Sequence, residues 1–194
     1  IKLQPNNPFT WASGWKSPIY CDNRITLSHH NIRTYIRQQL VKLIQEEFGS
    51  VGVIAGVATA GIPQGALVAQ ELGLPFIYVR SKPKEHGTGS LIEGDSSLSG
   101  KRVVVIEDLI STGKSSLQAV DALRDAGYDV AGLAAIFSYG FDVATENFKN
   151  ANCPFFTLSN YNALIKYAVE NQYVTEADVE LLKKWREDPS NWGK

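Results

Sequence analysis

Two neighbouring acids, Glu107 and Asp108, follow the apolar run Val103–Ile106 and stand just before Ser111-Thr112-Gly113-Lys114-Ser115-Ser116. Adjacent carboxylates at a strand end can accept hydrogen bonds from the vicinal hydroxyls of a ribose. Hydroxyls and backbone N–H groups gathered at a helix start, where the positive end of the dipole points, make a seat for one phosphate. The tail Gly113-Lys114-Ser115 matches the end of an ATP-binding loop, but GxxxxGK[ST] requires a glycine five positions before Gly113, and that position is Asp108. A helix cap alone would need one hydroxyl and no paired acids. The stretch therefore reads as a seat for a ribose 5-phosphate.

A second constellation lies upstream. Arg80, Lys82, Lys84 and His86 alternate along a segment with glycines at 87, 89, 94 and 100. Their side chains can project together toward a polyanion such as pyrophosphate, although charge runs of this kind are often only solvated. Residues 80–100 show no clear period, and connections of that length inside a compact domain are usually functional lids or disordered. The glycine-containing turn within Gly56–Ala69 joins a strand to a helix and offers backbone N–H groups to an anion.

The elements that must position these residues follow from periodicity. Ile32, Ile36, Leu40, Leu43, Ile44 and Phe48 recur at helical steps, which predicts an amphipathic helix over Asn31–Phe48 stopped at Gly49. Strands are predicted at Val51–Val57, Pro75–Val79, Arg102–Ile106 and Val130–Tyr139, with helices at Ile62–Leu72 and Ser115–Ala126 between them. After Cys153 come one more strand, in the sequence PFFTLSN, and closing helices at Asn162–Asn171 and Glu176–Trp185. This alternation means an α/β fold with a mostly parallel central sheet flanked by helices. In such a sheet ligands collect beyond the carboxyl ends of the strands, which is where Ile106 delivers the two acids.

Composition narrows the partners. At 194 residues and 44% hydrophobic, the chain suits one domain, 1–194. Nineteen basic against twenty acidic residues give a formal charge of −1, so neither nucleic acid nor an anionic membrane is announced, and a small molecule is the expected partner. Two cysteines, Cys21 and Cys153, form neither a disulfide framework nor a CxxC pair, which fits a reducing, cytoplasmic setting. No apolar run is long enough to span a membrane. The chain begins at Ile1 and contains no Met, so a leading segment is expected before it.

The stretch VVVIEDLISTGKSS resembles the phosphoribosyl-pyrophosphate (PRPP) motif of the type I phosphoribosyltransferases. FTWASGWKSPIYCDNR, residues 9–24, resembles the N-terminal substrate segment of orotate phosphoribosyltransferases, and YVRSKPKEHGTG, residues 78–89, resembles their mobile catalytic loop. The resemblance implies the type I fold, with a small hood built partly from residues 1–28. It implies transfer of the phosphoribosyl group of PRPP to orotate, giving orotidine 5′-monophosphate and pyrophosphate in pyrimidine synthesis. Glu107 and Asp108 would face the ribose hydroxyls, and Leu109, Ile110, Ser111, Thr112, Gly113, Lys114 and Ser115 would wrap the 5′-phosphate. Ser111 would also touch orotate, with Lys16 and Tyr20 as further candidates. Lys84 would neutralise the leaving group, aided by Arg80 and His86, so that Lys84 and Asp108 carry the catalysis.

By the same resemblance Mg²⁺ would be held mainly through substrate and water with no protein metal site. A homodimer is implied, with the loop shared between subunits. The chain departs from some relatives at Ala12, where they carry lysine, at Thr59-Ala60, where they carry Tyr-Lys, and after Tyr139, where IFSYGFD offers no arginine. A transferase for another base, or a PRPP-sensing regulator of the same fold, are the alternatives that the residues leave open.

Overall fold

The computed structural model describes residues 1–11, 13–82 and 90–193. The chain opens with four two-residue strands, β1 (Lys2–Leu3), β2 (Phe9–Thr10), β3 (Lys16–Ser17) and β4 (Ile19–Tyr20), in which β1 pairs with β4 and β2 with β3, both antiparallel. A 3-10 turn over Asn23–Ser28 leads into α1 (His30–Glu47). Then come β5 (Val53–Val57), α2 (Gly61–Leu72), β6 (Phe76–Val79), β7 (Ile92–Glu93), β8 (Arg102–Ile110), α3 (Lys114–Asp125) and β9 (Asp129–Ser138). The chain closes with α4 (Asp142–Asn150), β10 (Phe155–Asn160), α5 (Tyr161–Glu170) and α6 (Glu176–Glu187).

Six strands form one sheet in the order β10-β9-β8-β5-β6-β7, parallel except for β7, which pairs antiparallel with β6. Each face of this sheet is covered, as a parallel sheet requires. On one face Ile36, Leu40 and Ile44 of α1 and Val68 and Ala69 of α2 pack on Ile54, Val104 and Ile106. On the other, Ala119, Val120 and Leu123 of α3 and Ala144 and Phe148 of α4 pack on Val53, Val103, Val105 and Leu133. A third core joins the N-terminal strands to α5 and α6 through Ile19, Tyr139, Phe141, Tyr161, Leu182 and Trp185.

Three features depart from the periodicity reading. The strand expected over Arg102–Ile106 continues to Ile110, because β9 goes on offering partners, Leu109 opposite Phe137 and Ile110 opposite Ser138. The connection 80–100 holds a short strand, β7, beside β6, and a 3-10 turn at Ser96–Leu98. Helix α4 was not expected, since nine residues give only two and a half turns of pattern.

Candidate active site

Chain order puts a crevice between β5 and β8. From β5 the chain moves through α2 to β6 on one side, whereas β8 leads through α3 to β9 on the other. Such a switch point leaves the carboxyl ends of the two central strands open to a ligand. Helix α2 begins at Gly61 with no side chain capping it, so backbone N–H groups of its first turn face the crevice end of β5. Gly61 has to be glycine, because a methyl group there would run into the Ile106 carbonyl of β8.

The two acids part company here. Pairing to β5 stops at Gly56 opposite Ile106, and the alternation of the extended strand then sends Glu107 and Asp108 to opposite faces. Glu107 is buried beneath α3, its Oε1 accepting from the Asp108 N–H (3.0 Å) and its Oε2 from the Ser116 hydroxyl (3.2 Å). Burial, and then the Asp108 charge, hold its carboxyl well above the ordinary range. Asp108 is only half-buried and is the member of the pair open to the crevice. Burial raises its carboxyl too, opposed by hydrogen bonds from Glu107 and from the backbone and by the charge of Arg24.

Between these acids and α3 lies the hydroxyl turn. Gly113 caps α3 in the left-handed region at φ 78°, and a Cβ there would meet the Phe148 ring at 2.6 Å. Asn147 of α4 donates to the Thr112 carbonyl at 3.0 Å, bracing the turn from outside. Ser111 and Thr112 are half-buried, and Lys114 and Ser115 are exposed at the helix start. Ile110 is buried under the turn.

A cleft of about 340 Å³ adjoins the turn, lined by Thr10, Trp11, Tyr20 and Cys21 of the N-terminal segment and by Leu109, Ser111 and Tyr139. Thus Ser111 and Tyr20, expected on separate grounds, share one wall-to-wall space. Lys16 instead donates to the Thr10 hydroxyl at 2.8 Å. Burial pushes the Cys21 thiol up to about 12, and that of the Tyr139 phenol higher still. A thiol and a phenol of this kind stay neutral, and the cleft offers a planar molecule aromatic faces.

Of the cationic segment, Arg80 lies at the crevice end of β6 and pairs with Glu93 of β7 at 3.3 Å, while Lys82 is exposed. Lys84 and His86 lie outside the described residues, as does Ala12. No cluster of three His, Cys, Asp or Glu side chains is present among the described residues. No described helix is long and apolar enough to cross a membrane. Sequence reading missed Asn23 and Asn147, whose only signal is polarity away from the motif, and it placed Ser116 in the hydroxyl turn without its bond to Glu107.

Residues 26–171 match the phosphoribosyl transferase domain family. An orotate phosphoribosyltransferase of Bacteroides thetaiotaomicron is 57% identical over 192 residues, 99% of this chain and 90% of the relative. One from Porphyromonas gingivalis is 55% identical over 193 residues, 100% of this chain and 91% of the relative. Among solved structures, an orotate phosphoribosyltransferase from Aeropyrum pernix superposes with a TM-score of 0.73 at 25% identity, covering 87% of this chain and 92% of that one. Leishmania donovani UMP synthase superposes with a TM-score of 0.76 at 28% identity over 92% of this chain and 39% of that one. With its open parallel sheet, an acid at the switch point, the hydroxyl turn and the adjoining cleft, the chain belongs to the phosphoribosyl transferase family and, within it, to the orotate phosphoribosyltransferases.

Proposed function

We propose that the chain transfers the 5-phosphoribosyl group of PRPP to orotate, giving orotidine 5′-monophosphate and pyrophosphate. The observation that carries this reading is the continuity of three parts: the aromatic cleft, Asp108, and the hydroxyl turn Ser111–Ser115. A base in the cleft, a ribose at Asp108 and a phosphate in the turn would lie in the order in which a nucleotide carries them. The names of the 55–57% identical relatives support orotate as the base.

Departure of pyrophosphate leaves positive character on the ribose C1, so the protein's task is to stabilise a leaving anion. Backbone N–H groups at the start of α2, with Arg80, Lys84 and His86, are the groups that would meet it. Asp108 would accept from the ribose hydroxyls and fix the sugar, and Glu107 would hold Asp108 from behind. Ser111 and the walls at Thr10, Trp11 and Tyr20 would orient the base. Closure of 80–100 over the crevice would keep water from PRPP.

Both Glu107 oxygens are already engaged inside the protein, and Asp108 alone offers no cage. That suits Mg²⁺ bound through pyrophosphate, ribose oxygens and water. Bound so, the ion would neutralise charge on the leaving pyrophosphate. A homodimer sharing the cationic loop is part of the reading. Ile25, and Ile32 and Tyr35 one turn apart on α1, leave apolar surface exposed for a second copy. The two cysteines, unpaired and buried, fit a reducing cytoplasm.

The test is the ultraviolet absorbance change of orotate on adding PRPP and Mg²⁺, run beside adenine and hypoxanthine. We expect orotate to be consumed with release of pyrophosphate. Turnover of a purine with none of orotate would overturn the assignment.

A further inference from the structure

Strand β8 loses a partner at the residue whose position matters most. Its neighbour β5 pairs as far as Ile106, and β9 pairs with Arg102–Glu107 and then with Leu109 and Ile110. Asp108 lies beyond the last residue of β8 that pairs with β5, while the pairs on either side of it, Glu107 with Ala135 and Leu109 with Phe137, keep β9 alongside. The alternation of an extended strand puts its N–H and C=O on the same edge as those of Arg102, whose carbonyl accepts from Gly52 just ahead of β5. By Asp108 that edge has been vacated, and two main-chain polar groups face a crevice without a strand to satisfy them.

Two side chains fill the gap. Glu107 Oε1 takes the Asp108 N–H at 3.0 Å, and Asn23 Nδ2 donates to the Asp108 carbonyl at 2.7 Å. Asn23 is buried, at 7% exposure, and comes from a segment 85 residues away in sequence. Its amide orientation is set by the Cys21 thiol, which donates to Asn23 Oδ1 at 3.3 Å and so leaves the NH₂ group to the strand. The Thr26 hydroxyl donates to the Asn23 carbonyl at 2.6 Å and holds its backbone. Tyr20 and Cys21, which wall the base cleft, lie three and two positions before Asn23.

We infer that Asn23 is a positioning residue that stands in for the missing strand at Asp108 and fixes the base cleft relative to the ribose end of the crevice. This rests on the reading of the crevice given under Proposed function. Asn23 touches neither substrate in that reading. Its contribution is alignment: a shift of the cleft wall against Asp108 leaves each half of the site intact but misplaces the attacking base relative to C1. Misplacement of about 1 Å is enough to cost on the order of 100-fold in rate.

The test uses Asn23→Asp, which keeps size and the acceptor for the Cys21 thiol but replaces the donor with an oxygen facing the Asp108 carbonyl. We expect kcat per folded active site to fall about 30-fold, while PRPP affinity of the free enzyme, read by calorimetry, changes by less than about threefold. Asn23→Ala, which removes the donor without adding an acceptor, should fall about 10-fold in kcat with the same unchanged affinity, and it serves if the Asp variant does not fold. A folded variant with kcat within about twofold of the parent would overturn the inference. So would PRPP affinity lost in step with the thermal midpoint, the mark of a merely structural residue. A parent protein that binds PRPP but leaves orotate unchanged would instead remove the functional reading.

Discussion

The hydroxyl turn and the aromatic hood border the same crevice and are held by opposite means. The turn is one contiguous stretch, Glu107–Ser116, fixed by a few hydrogen bonds: Glu107 to Ser116 beneath it and Asn147 to Thr112 outside it. The hood is assembled from segments far apart in the chain, and its cement is rings. Trp185 of α6 lies 5.4–5.7 Å from Trp11, Tyr139, Phe141 and Tyr161, and its indole N–H reaches the Lys16 carbonyl at 3.1 Å. A polar seat kept partly open contributes little stability and much specificity, whereas a buried ring cluster contributes the reverse. The cleft beside Ser111 inherits its shape from the second kind of region, and Asp108 is set by the first.

Removing the central ring should break the hood first. Trp185 is fully buried, so Trp185→Ala is expected to cost about 3–5 kcal/mol of stability. For a chain of this size that lowers the thermal midpoint on the order of 10 °C. Folded protein that remains should bind orotate more weakly while keeping its PRPP affinity. An unchanged midpoint would mean that the ring cluster does not hold the hood.

The crevice acid should behave in the opposite way. Asp108→Asn leaves shape intact but removes the charge that the ribose hydroxyls would meet, and turnover is expected to fall about 100- to 1,000-fold. Burial already disfavours the Asp108 charge, raising its carboxyl above the usual range. A neutral amide carries no such penalty, so the thermal midpoint near neutral pH should hold or rise. Loss of stability in parallel with activity would erase the distinction between the two regions.

The same contrast explains what could be read without a structure. The β8–turn–α3 unit was legible because a strand pattern, paired acids and a hydroxyl turn follow one another without interruption. That Glu107 turns inward while Asp108 faces the crevice was not legible, because it depends on where β5 stops. The hood's sequence resemblance at residues 9–24 marked a substrate segment, yet nothing there shows that Trp11 and Trp15 would meet Phe141 and Trp185, or that Asn23 would reach Asp108. Long-range partners are set by topology, and periodicity carries only local information.

The smallest effect tests whether the turn needs help from outside its own sequence. Asn147 sits on α4, the helix that periodicity did not announce, and gives the turn a single neutral hydrogen bond at the Thr112 carbonyl. Such a bond is worth about 1 kcal/mol, and water can replace part of it at this half-buried position. The Phe148 ring still packs against Gly113 in an Asn147→Ala variant, so the turn should loosen without unfolding. PRPP affinity is then expected to drop up to about fivefold, with the base cleft and the affinity for orotidine's base portion unaffected. Calorimetry with PRPP alone separates this from any hood effect. If affinity does not move, Glu107, Ser116 and Gly113 hold the turn by themselves, and the seat is as local in its energetics as it is in its sequence.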